Sequence, residues 1–228
     1  QLQKQGDENS RGLKNGQVLR AYALIYTAVT YEKMAQNDSS FQYANRAYEL
    51  FKIHLDSPHV KFANIYNLIG NSYYRMSKFR EAEDFYQKAK RIAERSIGPT
   101  SGHLSVCLGN LANIARIQQN FAQAIAFSKQ ALAIKSAKKD TAGMSSDYYS
   151  LGVFHYFTGD YGRARDYLAE CIKIREQLYD PGHYKLSDPY EVMGILYEQA
   201  GDYAVTLRYF LKAQNIKAAN FGGNSIPV

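Results

Sequence analysis

No apolar run in this 228-residue chain approaches the roughly 18 residues that a membrane span requires. No membrane partner is expected on that ground. Cysteine is scarce: Cys107 and Cys171 are the only two. A pair this sparse builds no disulfide framework and no metal site. Also missing are a phosphate-cradling glycine loop, a His-Glu-x-x-His pair, a nucleophile elbow and a paired-cysteine motif. The Glu81, Glu83 and Asp84 cluster lies at the start of a helix, where acidic side chains complement the dipole. Catalysis is not expected, and no cofactor or metal is expected.

Acidic charge is thin in the middle of the chain. Residues 61–100 carry 8 Lys/Arg against 4 Asp/Glu, and residues 101–142 carry 5 against 1. Those two stretches sum to +8, so the remainder is −1 within the total of +7. A basic centre attracts acidic partners or nucleic acid. Lys88, Arg91 and Arg95 fall on outer helix faces, where solvation alone accounts for them.

What the chain does have is repetition. Tyr66-x-x-Ile69-Gly70-x-x-Tyr73 returns as Leu108-x-x-Leu111-Ala112-x-x-Ala115, as Tyr148-x-x-Leu151-Gly152-x-x-His155, and as Tyr190-x-x-Met193-Gly194-x-x-Tyr197. Each is followed by an aromatic residue and two small ones: Phe79, Ala82, Ala89; Phe121, Ala124, Ala131; Tyr161, Ala164, Cys171; Tyr203, Thr206, Ala213. Positions 70, 112, 152 and 194 are 42, 40 and 42 residues apart. A period of this size means stacked repeats.

Apolar residues at three- and four-residue spacing make each repeat two helices, A and B. Breakers fall between them at Met76-Ser77-Lys78, Gln118-Gln119-Asn120, Thr158-Gly159-Asp160 and Ala200-Gly201-Asp202. Mid-helix glycine costs about 1 kcal/mol against alanine, which argues for close packing. The reading predicts that Gly70, Gly152 and Gly194 rest on Ala82, Ala164 and Thr206. His155 fills a tyrosine slot and reads as a core histidine.

The inter-repeat loops also rhyme: Asp56-Ser57-Pro58-His59, Gly98-Pro99-Thr100-Ser101-Gly102-His103 and Asp180-Pro181-Gly182-His183. Their histidines are whole repeats apart and do not form a metal site. A degenerate first repeat places helix A near Gln17–Ala35 and helix B near Ser40–His54. Residues 1–16 form a polar, frayed segment. The expected organisation is five repeats over 17–220, at about 17–55, 60–97, 102–138, 142–179 and 184–219.

The Leu-Gly-x-x-Tyr, Gly-Asp-Tyr-x-x-Ala and x-Ala-x-x-Ile pattern resembles the tetratricopeptide repeat. The long period and Pro-Gly-His loops are similar to its kinesin-light-chain type. The resemblance implies an all-α solenoid of five antiparallel helix pairs wound as a right-handed superhelix. It also implies that a partner lies along the groove lined by helix A. Carried over, the lining residues are Asn64, Asn67, Asn71, Tyr74 and Arg75, then Asn110, Asn113 and Arg116, then Tyr149, Tyr156 and Phe157. Asn64, Asn67, Asn71 and Tyr74 or Arg75 fall on one helical stripe. Asparagine offers donors and an acceptor together, which suits a peptide backbone, and arginine adds a fork for carboxylates. The Lys-and-Asn pair of the chaperone-tail clamp is replaced by Ile25 and Val29.

The expected function is a protein-interaction module holding a peptide or protein segment, acidic ones among them, as the scaffold or sensor part of a larger protein. Two alternatives stay open: nucleic-acid binding through the basic centre, which is the less favoured, and a structural module that self-associates. Residues 221–228 read as another inter-repeat loop without a capping helix, and Gln1 reads as a cut or processed start. The expectation is a longer array, with Phe210 and Ile216 on an exposed apolar edge capable of end-to-end contacts. A cytoplasmic location is favoured.

Overall fold

The computed structural model describes residues 2–54 and 61–221, with side chains from residue 15 onward except those of 61, 96, 97 and 221. Ten α-helices follow one another: α1 (Leu2–Lys33), α2 (Asn37–His54), α3 (Lys61–Arg75), α4 (Phe79–Ile92), α5 (Gly102–Ile117), α6 (Phe121–Ala137), α7 (Thr141–Phe157), α8 (Tyr161–Leu178), α9 (Ser187–Gln199) and α10 (Tyr203–Phe221). A π-type turn, Ala93–Ile97, extends α4, and a 3₁₀ turn, Tyr184–Leu186, precedes α9. No strand occurs among the described residues. The all-α class is as predicted. Helix α1 begins well before the expected Gln17 and covers the segment expected to fray. The loop with His59, and residues 222–228, lie outside the described residues.

Each A–B turn uses the same device. Ala35, Ser77, Gln119, Gly159 and Gly201 adopt positive φ between 58° and 78°. Glycine occupies this left-handed region without cost, whereas Ser77 and Gln119 give up about 1–2 kcal/mol there. Helix B then starts on a capping residue where the sequence supplies one. Asn120, Asp160 and Asp202 accept from the backbone N–H groups of Gln123, Arg163 and Val205.

The chain divides into two compact units, Gln1–Leu111 and Ala112–Val228. In the first, α1 packs on α2, α2 on α3 and α3 on α4. Ala21, Ala28, Ala44, Phe51, Phe62, Ile65 and Ile69 form its core. Aromatic pairs bridge successive repeats, with Phe41 edge-on to Tyr73 at 4.9 Å and Phe51 on Phe62 at 6.3 Å. In the second unit, α6 packs on α7, α7 on α8, α8 on α9 and α9 on α10. Its core comprises Ala164, Leu168, Tyr190, Met193, Leu196 and Ile216, with Ala112, Ala115, Ala124 and Phe154 beside it.

Two packing expectations are corrected. The glycines do not meet the small residues as their closest side chains. A Cβ on Gly70 would lie 2.6 Å from the Tyr86 ring, and one on Gly194 would lie 2.6 Å from the Phe210 ring. On Gly152 it would meet Leu168 at 2.6 Å, with the Ala164 carbonyl next at 3.2 Å. The partner stands 16 residues on, one helical turn beyond the predicted one. On α10, Ile216 is buried and Phe210 is half-buried against Gly194. The exposed large apolar residues of that helix are Tyr203, Leu207 and Leu211.

Candidate functional site

Helix α3 carries its asparagines on one face, as the spacing predicts, and α5 places Asn110 against them. The three innermost amides bond to each other and to their neighbours. Asn110 Nδ2 donates to Asn67 Oδ1 at 3.4 Å and to Asn71 Oδ1 at 3.3 Å. Asn67 Nδ2 donates to Cys107 Sγ at 3.2 Å, and Asn67 is only 8% exposed. Asn71 Nδ2 donates to Glu32 Oε1 at 2.9 Å, while its Oδ1 also accepts the Tyr86 hydroxyl at 2.8 Å. These bonds tie α1, α3, α4 and α5 into one polar lattice within the first unit. Asn64 is exposed at its edge, and Tyr74 is half-buried with its ring 5.6 Å from Phe79.

Glu32, Tyr86 and Cys107 are the members that sequence reading missed, and Glu32 is the charged one. Its register position gives the signal that was available: residues 32, 74, 116 and 156 all lie four after the glycine-type slot, so Glu32 matches Tyr74, Arg116 and Tyr156. Its carboxylate also lies 4.0 Å from Arg75 Nε. The Arg75 charge, expected to await an acidic ligand, is therefore partly answered inside the chain.

Burial fixes the protonation of this lattice. It pushes the Tyr86 phenol well above the usual tyrosine range, so the hydroxyl stays a donor. It pushes the Cys107 thiol up to about 11. Cys171 is likewise buried and pushed up to about 11. Both are inert thiols at neutral pH.

The other predicted residues lie in the second unit. Asn113 and Arg116 are half-buried on α5. Tyr149 and Tyr156 are half-buried on α7, seven residues apart and so on one face. The Arg175 guanidinium stands 5.4 Å from the Tyr149 ring centre. Tyr156 touches Phe157 and Tyr161, and Phe157 stacks on Phe121 at 5.3 Å.

His155 is buried, stacks on Tyr167 at 5.4 Å, and holds Nδ1 3.6 Å from Asp160 Oδ2. Burial lowers its pKa; Asp160 opposes that shift, while Lys129 and Arg163 add to it. The unfolded chain then takes up the proton first as pH falls below about 6.5, the ordinary histidine value. Stability should be lost on acidification through that range, and none of it above. Thermal midpoints from neutral pH down to about pH 5 should fall less for His155→Tyr than for the parent. Equal slopes would overturn this assignment.

Among the described residues no group of three His, Cys, Asp or Glu side chains is arranged to hold a metal. His183 is sandwiched between Tyr179 and Tyr184 at 4.3 and 4.7 Å. Among the described residues, no helix is long and apolar enough to cross a membrane.

Residues 61–137 and 144–219 match the tetratricopeptide repeat family, and the chain belongs to it. Solved structures share the fold. BtubC (BKLC) from P. vanneervenii is 23% identical over 97% of this chain and 94% of its own, with a TM-score of 0.74. The kinesin light chain TPR-like repeats of Podosopora anserina are 13% identical over 89% of this chain and 97% of theirs, at 0.69. The Rap conjugation gene regulator of plasmid pLS20, in complex with the Phr* peptide, is 14% identical over 92% of this chain at 0.70. This chain spans 56% of that regulator. A comparison with curated proteins finds no match.

Proposed function

We propose that the chain is a protein-interaction module that holds an extended peptide segment against the helix-A face of its first unit. The observation that carries this reading is the polar lattice of Asn67, Asn71, Asn110 and Glu32. A set of amides fixed by mutual hydrogen bonds is pre-organised, so little ordering cost remains when a ligand arrives. Its outer members, Asn64, Asn110, Tyr74 and Arg75, face the ligand; Asn67 and Asn71 hold them in place. Asn113, Arg116, Tyr149 and Tyr156 lie on the corresponding helices of the second unit and offer it a recognition surface of its own. The same fold bound to the Phr* peptide in the pLS20 regulator supports this reading. Acidic or phosphorylated side chains are favoured at Arg75 and Arg116, less strongly at Arg75 because of Glu32.

Peptide-library selection at fixed salt tests the proposal. Asn71→Ala removes one acceptor and one donor from the lattice and should weaken selected peptides about ten-fold. Asn110→Ala, whose side chain is only half-buried, should do the same with the thermal midpoint nearly unchanged. Arg75→Glu should reduce acidic ligands more than neutral ones. If all variants retain the parent's ligands equally, the lattice is structural and the reading fails.

A further inference from the structure

We propose that a cleft in the second unit, between α8, α9 and α10, binds small carboxylic acids with an apolar body. The cleft has a volume of about 530 Å³ and is lined by Glu176, Tyr179, Pro181, Tyr190, Lys212 and Ile216. That size falls within the roughly 300–1,000 Å³ of small-ligand sites. It exists because the α8–α9 connection is long; the α6–α7 connection is only residues 138–140. The long connection is pinned from two sides. Asn220 Nδ2 donates to the Gly182 carbonyl at 2.7 Å, and the Arg175 guanidinium donates to the Lys185 carbonyl.

The chemistry of the walls selects the ligand. Tyr190 donates its hydroxyl to Glu176 Oε1 at 2.6 Å, and Tyr179 accepts from Lys185 Nζ at 3.1 Å. Both phenols thus have their polar ends answered within the protein, leaving rings, Pro181 and Ile216 as apolar surface. Burial and the Glu176 bond keep the Tyr190 phenol protonated. Lys212 is different. Its ammonium lies 4.9 Å from the Tyr190 ring centre, and no described carboxylate stands within ion-pair distance of it. Lys212 is exposed, and a cation whose described protein partner is a ring face beside an apolar cleft is matched by an apolar body that ends in a carboxylate. Lys185, whose ammonium bonds the hydroxyl of the lining Tyr179, adds a second positive charge beside the cleft. The cleft lies among α8, α9 and α10, apart from the asparagine lattice of the first unit, and the inference stands independently of the peptide reading.

The test uses naphthalene-2-carboxylate and its uncharged counterpart, naphthalene-2-carboxamide, titrated calorimetrically into the whole chain. The carboxylate should bind about ten-fold tighter than the amide. Lys212→Glu should weaken the carboxylate about ten-fold or more and leave the amide nearly unaffected. Lys212→Gln should erase the preference without reversing it. Glu176→Gln, which removes the cleft's own negative charge, should tighten the carboxylate about two- to three-fold. Arg80→Gln, an exposed position in the first unit, should leave both titrations unchanged. Equal binding of acid and amide, an unaltered Lys212→Glu titration, or loss of binding in Arg80→Gln would each overturn the assignment.

Discussion

Lys135→Met is expected to lower the stability of the second unit by about 3–5 kcal/mol, the range for stranding a buried charge. Lys135 on α6 donates to Asp147 Oδ1 on α7 at 2.8 Å and reaches the Gly143 carbonyl at 3.4 Å. The two side chains are 12% and 6% exposed. Asp147 Oδ2 is buried with no hydrogen-bond partner, so Lys135 is the principal compensation for that carboxylate. Burial already pushes Asp147 above the usual carboxylate range, although Lys135 pulls the other way. Without the lysine the group must stay charged in an apolar setting or take a proton, and either costs stability at neutral pH.

The sign of the pH response checks the cause. A carboxylate whose folded pKa is raised favours the folded state when protonated, so Lys135→Met should regain stability as pH falls through that raised value. The double variant Lys135→Met/Asp147→Leu should recover much of the loss, because it leaves no buried charge. Urea unfolding of the three variants measures all of this. A single variant as stable as the parent would show that the pair is not holding α6 to α7.

Gly70→Leu is expected to destabilise the first unit by about 1–3 kcal/mol through overpacking. Any Cβ at this position meets two atoms of the Tyr86 ring at 2.6 and 2.7 Å. The ring cannot simply swing away, because its hydroxyl is bound to Asn71 Oδ1. Displacing it gives up that bond, worth about 1 kcal/mol in net terms. The same substitution should therefore loosen the amide lattice, and binding of any peptide selected on the parent should weaken in parallel. Gly70→Ala should show both effects at smaller size. The chain itself contains the complementary solution: Ala112 fills the glycine slot where Ser128, not a ring, stands 16 residues on. A thermal midpoint unchanged in Gly70→Leu would mean that the ring has another place to go.

The repeats, the helix pairs and the turns between them were legible in the sequence because they are local. Helical periodicity reports which face of each helix is covered, and Gly159 or Gly201 announces a left-handed turn. Ser77 and Gln119 adopt the same turn without announcing it, since only their place in the repeat compels the conformation. The asparagine stripe was legible as a stripe. Its chemistry was not, because Glu32 comes from 39 residues before Asn71, and Tyr86 and Asn110 from two further helices.

Periodicity says that a face is covered without saying by what. Gly70 was paired with Ala82, one turn short of Tyr86, and Phe210 and Ile216 were assigned an exposure that belongs to Tyr203, Leu207 and Leu211. Nothing in the sequence singles out Lys135 and Asp147; the packing of α6 on α7 brings them together and buries them. The sequence by itself determined an all-α repeat protein. The tertiary structure alone decided which polar groups face each other at hydrogen-bond distance. That distance depends on how neighbouring helices pack, and no spacing along one chain encodes it directly.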